Sequence, residues 1–267
     1  MDPNLSPYFS GERLYGDDFN QEQIDEWFRD ELDGYADLSD TPRSRYEYGY
    51  HQLNLRHGFK HLGNTSFQHA LGLGSAFGEE FKPIIGSVER LTIVEPSDHF
   101  ASESLYGHPV KYVKPISSGE LPFKDESFDL ILCLGTLHHI ANVTFVVSEL
   151  SRVLREGGYT LIREPITSMG DWTKPRVGAT KRERGIPLPY MDRIIDGCGF
   201  TVVNRALCAF PVFNRLGAKL GIAPYSHSSI TALDHIISTV APGKARYYRP
   251  NFFQKLTASS VFYVLAK

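Results

Sequence analysis

Short apolar runs recur along the chain, each bounded by glycine, proline or polar residues. The run at 67–73 ends in a glycine-rich turn, and the run at 91–94 ends at Glu95. Acidic residues that follow the turn indicate the start of a helix, so the stretch 66–100 predicts a strand, a tight loop, a helix and a second strand. Further strands are predicted at 110–113, 127–134, 159–162, 200–203 and 260–266. Helical patterns separate several of these runs, which indicates an α/β protein.

The turn after the first strand has the composition of a nucleoside-binding loop. It contains Gly74, Ser75, Ala76 and Gly78. Glycines let the backbone approach a ligand, helix N–H groups point at it, and an acid about 20 residues further on accepts ribose hydroxyls. Glu95 stands at that separation. Glycine after a strand is more often explained by plain turn chemistry, but the spacing to Glu95 favours a ligand site.

The first 65 residues are predicted to form a helical cap. An apolar stripe at helical spacing predicts a helix over 20–32, and the segment 43–62 is rich in tyrosine and histidine. His57 and His61 are four residues apart, but no carboxylate or thiol completes a ligand set with them. The three cysteines show no metal-binding spacing either, so the sequence predicts no metal site.

The second half of the core carries more specific motifs. An S-F-D sequence begins the strand at 127–134, L-H-H follows at 137–139, and an amphipathic helix at 143–154 ends in R-E-G-G before the next strand. Together with the glycine-rich loop, these motifs resemble the class I S-adenosylmethionine (SAM) dependent methyltransferases, in particular methyltransferase-11-like members. The resemblance covers roughly 67–203 and, more loosely, the last strand.

The resemblance implies a Rossmann-like fold. We expect an open, mostly parallel seven-stranded sheet with helices on both faces, an N-terminal helical extension and an insertion before the last strand. The corresponding segments are an N-terminal cap at 1–65, a SAM-binding core at 66–206, an insertion at 207–257 and the final core strand at 258–267.

The resemblance also implies SAM as the cofactor. The matching positions lie at the ends of the first, second and fourth strands and in the loop after the third. They are Gly72, Gly74, Ser75, Ala76, Gly78, Glu95, Pro96, Ser117, Leu134 and Gly135. Three of them depart from the family pattern. Gly72 replaces the acid of the first motif, Ala76 replaces its middle glycine, and Ser117 replaces the Asp that meets the adenine amino group.

His138 and His139 are the candidate catalytic residues. They lie just past the carboxyl end of the fourth predicted strand, where ligands gather in an open α/β sheet. Methyl transfer from a sulfonium is an in-line displacement, so positioning supplies much of the catalysis, but a hydroxyl acceptor must also lose a proton. Histidine suits this role near neutral pH. The alternative is that both histidines only shape the pocket wall.

The acceptor is the least constrained part of the prediction. Weak similarity to methyltransferases linked to bacterial glycan synthesis, at 14–19 and 182–187, suggests O-methylation of a small or glycan-like molecule. The loop at 174–184 holds five basic residues, and we expect Arg182 and Arg184 to bind a phosphate of such an acceptor unless the loop is simply solvated. The insertion is a candidate substrate or assembly element, and a homodimer is one form it would support.

Composition limits the classes of partner. The formal net charge of −3 argues against general nucleic-acid binding, and no run approaches the roughly 18 apolar residues of a membrane span. We therefore expect a cytoplasmic protein. A second hypothesis is a non-catalytic binding or assembly module, because the changes at Gly72 and Ser117 both remove a cofactor-binding acid and the long insertion offers new surface.

Overall fold

The computed structural model describes residues 5–39, 43–176, 179–240 and 246–267. The described residues of the N-terminal cap contain three α-helices, α1 (Ser6–Ser10), α2 (Gln21–Ser39) and α3 (His51–His57). A capping interaction fixes the start of α2, since the Asn20 side chain accepts the Gln23 N–H while the Gln23 side chain accepts the Asn20 N–H, both at 3.0 Å.

Eight strands form one sheet. They are β1 (Phe67–Leu73), β2 (Val88–Val94), β3 (Ser104–Leu105), β4 (His108–Val113), β5 (Phe128–Leu134), β6 (Leu154–Pro165), β7 (Thr201–Cys208) and β8 (Ser260–Ala266). Their order is β3-β4-β2-β1-β5-β6-β8-β7. The pairs from β4 to β6 are parallel, whereas β8 runs antiparallel to both of its neighbours. The expected open, mostly parallel sheet is confirmed, and the two-residue β3 adds an eighth strand at one edge.

Four longer helices follow the cap: α4 (Val143–Val153), α5 (Leu188–Gly197), α6 (Pro211–Leu220) and α7 (Ser228–Val240). Side chains alternate between the faces of β1, so Leu71 and Leu73 join the core formed with α4 and α5. Ala70 joins the core on the other face, which includes Leu53 of α3 and Tyr225 between α6 and α7. Helices therefore cover both faces, as expected.

The prediction of a helix directly after the glycine-rich loop is wrong. The chain forms two separate 3₁₀ turns there, Glu79–Phe81 and Ile85–Ser87. Pro83 lies between them and has no N–H to donate, so a regular helix cannot continue through this segment. Among the described residues, no α-helix therefore begins directly after the loop.

Residues of the expected insertion pack against the sheet through a buried carboxylate, although residues 241–245 lie outside the described part of the chain. Asp234 of α7 is fully buried and accepts the N–H groups of Ala209 and Phe210 and the hydroxyl of Tyr225. These bonds tie α7 to the end of β7. None of the described helices combines the length and apolarity needed to cross a membrane.

Candidate active site

A cleft of about 1030 Å³ opens at the carboxyl ends of β1, β2 and β5, and α2 closes it from above. Six of the residues predicted from the sequence line it: Gly74, Glu95, Pro96, Ser117, Gly135 and His139. The rest of the wall is mainly apolar, with Ile24, Trp27 and Phe28 contributed by α2. A cleft with apolar walls and a few convergent polar groups is the usual form of a small-molecule site.

The glycine-rich loop passes directly beneath the cleft. Gly74, Ala76 and Gly78 all have left-handed backbone conformations, with φ of 64°, 45° and 73°. A Cβ at Gly74 would lie 2.4 Å from Cγ2 of Thr136, so only glycine fits this close approach. Ala76 is held in its less favourable conformation from both sides, because its N–H donates to Glu95 at 3.0 Å and its carbonyl accepts the Tyr112 hydroxyl at 2.9 Å.

Glu95 and Ser117 present polar groups to the same cleft. Glu95 Oε1 accepts the Ser97 N–H at 3.2 Å, and burial raises the pKa of the Glu95 carboxyl. The Ser117 hydroxyl donates to Asp25 of α2 at 2.7 Å, and this bond is the main cause of a lowered pKa at Asp25. A carboxylate is therefore present beside Ser117, although it comes from the cap and not from the loop after β4.

Five predicted cofactor positions do not line the cleft: Gly72, Ser75, Ala76, Gly78 and Leu134. A Cβ at Gly72 would lie 2.3 Å from Oγ of Ser75, so the acid that the family usually has there would not fit without a shift. Ser75 is buried, Leu134 is half-buried with its carbonyl accepting from Arg163 at 3.2 Å, and Gly78 packs close to Ile93. These residues shape the loop from behind.

A buried carboxylate orients His138. Glu164, at the end of β6, accepts the backbone N–H groups of Thr136, Leu137 and His138 and lies 2.8 Å from Nδ1 of His138. Burial alone would raise the pKa of Glu164, but the hydrogen bonds to His138 and the backbone lower it. Burial also lowers the pKa of His138. Of the two histidines, His138 is the one held behind the cleft by Glu164.

His139 is the histidine that reaches the cleft. Its Nδ1 lies 2.9 Å from Oε2 of Glu31 on α2, and Trp27 Nε1 donates to its carbonyl at 2.7 Å. Burial lowers the pKa of His139, but the hydrogen bond and charge of Glu31, with the charges of Glu183 and Glu164, outweigh this and raise it overall. With Nδ1–H donated to Glu31, Nε2 is the nitrogen that carries a lone pair.

Glu31 and Glu183 are fixed by the loop that follows β6. Thr180 donates its hydroxyl to Glu31 at 2.8 Å and its N–H to Glu183 at 3.0 Å. Ligand atoms of His138, His139 and Glu183 lie within 4.8 Å of one another, a donor set that could hold a divalent cation. This cluster could not be predicted from the sequence, because Glu183 lies on a separate loop.

The loop at 174–184, here called the basic loop, does not form the predicted phosphate-binding site with its described residues. Arg184 is fully buried and donates to the carbonyls of Tyr15, Leu137, His138, Ile140 and Ala141. Arg182 pairs with Asp30 and Glu26 of α2, each at 2.6 Å. The predicted role of both arginines in acceptor binding is corrected accordingly. Arg182 attaches the loop to α2, and Arg184 attaches it to the His138–His139 turn.

Trp27, Glu31 and Glu164 are site residues that the sequence reasoning missed. Glu164 had a usable signal, because it lies near the carboxyl end of a strand beside the one that precedes the histidines. Trp27 belongs to the apolar stripe that predicted the helix at 20–32, and Glu31 lies on the same helix. Their place at the cleft depends on how α2 docks onto the sheet.

Comparisons with known proteins agree with this architecture. Residues 71–162 match the family described as a methyltransferase domain. The chain is 23% identical over 158 residues to the ubiquinone/menaquinone biosynthesis C-methyltransferase UbiE of Xylella fastidiosa, covering 58% of this chain and 60% of that protein. It is 33% identical over 87 residues to the uncharacterized methyltransferase YcgJ of Bacillus subtilis, covering 33% of this chain and 34% of that protein.

A solved structure extends the likeness in fold. The Burkholderia thailandensis 1,6-didemethyltoxoflavin-N1-methyltransferase has a TM-score of 0.55 and 17% identity, covering 93% of this chain and 91% of that one. The chain spans at most 60% of the two curated relatives named above. The motifs, the sheet order and these matches together support a class I SAM-dependent methyltransferase, with the family match itself confined to residues 71–162.

Proposed function

We propose that this protein transfers a methyl group from SAM to an oxygen atom of a small-molecule or glycan-like acceptor. The observation that carries the proposal is the position of His139, which lines the same cleft as Gly74 and Glu95 and has its Nδ1 paired with Glu31. That arrangement supplies a base beside a nucleoside-binding loop. SAM, when bound, supplies an electrophilic methyl group that needs no covalent enzyme intermediate.

The cleft suits the cofactor. The left-handed loop at Gly74 lets a ligand approach the backbone closely, and each Glu95 oxygen retains a lone pair for a ribose hydroxyl. The apolar side chains of Trp27, Phe28 and Leu121 provide walls for a purine ring. Ser117 and its partner Asp25 lie where the family contacts the adenine amino group, which compensates for the missing acid.

His139 would act as the general base. Glu31 holds the imidazole in the tautomer whose Nε2 can take a proton from an acceptor hydroxyl, and it stabilises the imidazolium that results. Trp27 fixes the backbone of the same turn. The named relatives differ in the methylated atom, carbon for UbiE and nitrogen for the Burkholderia enzyme, so the oxygen acceptor rests on this base alone.

Binding of SAM is the direct test. We expect calorimetry to detect binding of SAM and of its demethylated product, and we expect Glu95→Gln to weaken both by roughly 10- to 100-fold, because charge-assisted hydrogen bonds are lost. Glu89→Gln, at an exposed position of the same strand, is the matched control and should bind normally. If neither compound binds at millimolar concentration, the chain is instead a binding or assembly module that keeps the fold.

The pairing of His139 with Glu31 gives a pH prediction. Because Glu31 raises the pKa of His139, Glu31→Gln should lower it and shift the acidic limb of the methylation rate profile to lower pH. Titration of the His139 ring by NMR measures the same pKa without an acceptor. An unchanged pKa in the variant would show that Glu31 does not tune the base.

A bound cation would exclude the base role, because a nitrogen that binds metal cannot accept a proton. Treatment with a chelator should therefore leave turnover unchanged if His139 is the base.

Exposed apolar side chains on α6 and α7, with Leu220 68% and Val240 71% exposed, support a homodimer as the form of the protein.

A further inference from the structure

A second pocket, of about 680 Å³, lies between the segment after β6, helix α6 and the chain before β8. Three of its lining residues are basic: Arg215, Arg249 and Lys255. Among the residues that the structure describes, no aspartate or glutamate lines it. The pocket therefore combines a concave shape with charge of one sign, which focuses a positive potential.

The described part of the chain does not neutralise the charges in this pocket. Within the four described ranges, no carboxylate forms an ion pair with Arg215, Arg249 or Lys255. In the basic loop, by contrast, Lys181 and Arg182 are both paired with Asp30. The cationic groups of the pocket therefore remain available to a ligand, whereas those of Lys181 and Arg182 are already paired.

Arg249 is the best-placed ligand group. Its Nη1 donates to the carbonyl and hydroxyl oxygens of Thr257 at 3.0 and 3.2 Å, which orients the guanidinium. No other guanidinium N–H of Arg249 finds an acceptor among the described residues. Burial, together with the nearby positive charge of Arg215, lowers the pKa of Arg249. A like-charged pair of this kind is relieved when an anion binds between its members.

The wall of the pocket is fixed. Tyr247 is 7% exposed, donates its hydroxyl to the Gly185 carbonyl at 2.7 Å, and accepts the Ser168 N–H at its own carbonyl at 2.9 Å. Arginine with lysine in a preformed site suits a phosphoryl group, because the guanidinium fork binds two anionic oxygens at once.

A short stretch of chain links the pocket to the candidate active site. Thr167 lines the pocket and lies three residues past Glu164, the carboxylate that holds His138. Three residues span at most about 11 Å, so Thr167 lies within that distance of Glu164. We propose that this pocket binds the phosphoryl group of the methyl acceptor. That the phosphoryl group belongs to the methyl acceptor rests on the proposed function, whereas anion binding by this pocket does not.

Calorimetry at low salt with inorganic phosphate and with glucose 1-phosphate tests the proposal. We expect both to bind the parent protein and both Arg249→Gln and Arg215→Gln to raise the Kd by about tenfold or more. Lys219→Gln changes an exposed charge on the same helix as Arg215 and should bind as the parent does. Binding should weaken as salt rises.

The outcomes separate this proposal from the previous one. Equal phosphate affinity in the parent and both arginine variants would overturn the pocket assignment, even if SAM binds normally. Binding only to anionic phospholipid vesicles, and not to glucose 1-phosphate, would also overturn it. Because Arg215 is exposed, its variant is expected to fold even if the loss of the Thr257 contacts destabilises Arg249→Gln. Phosphate binding without SAM binding would keep this site and remove the methyltransferase proposal.

Discussion

Replacing His139 by alanine is expected to lower the turnover of an oxygen acceptor by about 10² to 10⁴ while leaving the affinity for SAM nearly unchanged. The reason is that His139 alone of the two histidines lines the cleft, and its Nδ1 is committed to Glu31. Turnover can be followed as release of the demethylated cofactor with the best substrate from a panel of hydroxylated sugars and small phenols.

The control is His227→Ala, which removes an exposed imidazole far from the described cleft lining and should leave turnover unchanged. A rise in reaction pH should partly restore a hydroxyl acceptor in His139→Ala, because more of the acceptor then ionises without a base. Full activity of His139→Ala at neutral pH would contradict the base role and leave positioning as the source of catalysis.

The central strands were predictable because their burial is reflected directly in the sequence. The apolar run that predicted a strand at 67–73 coincides with β1, and β5 lies where the S-F-D motif placed it. β6 is longer than the apolar run at 159–162, because Arg163 and Glu164 continue the strand as buried polar residues. Their partners, Asn54 and His138, belong to distant parts of the chain, so the sequence gives no local sign that they are satisfied.

The candidate site likewise contains residues that could be predicted from the sequence and residues that could not. Glu95 and His139 were predictable because each follows a parallel strand, and the carboxyl ends of such strands meet at one edge. Glu31 and Asp25 were not, because their contacts arise only when α2 docks over that edge. Charge density misled the prediction at 174–184, since a count of basic residues does not show which of them are already paired.

Arg184 is the clearest example of such a paired charge. Its guanidinium is fully buried and joins three elements: the N-terminal segment through Tyr15, the turn at 137–141 through four carbonyls, and α2 through the face of Trp27, 4.9 Å away. A group with this role contributes to the stability of the fold, and it cannot at the same time bind a phosphate.

Arg184→Ala should therefore reduce the free energy of unfolding by roughly 3–5 kcal/mol, because it removes a buried guanidinium that donates to five carbonyls and opens a cavity beside Trp27. Arg184→Lys keeps the charge but not the planar fork, so we expect an intermediate loss. Arg182→Ala removes only partly exposed ion pairs and should cost about 1 kcal/mol or less. Urea denaturation of the three variants measures this order. If Arg184→Ala were as stable as the parent and instead weakened binding of glucose 1-phosphate, the acceptor's phosphate would bind at the basic loop and not at Arg215 and Arg249.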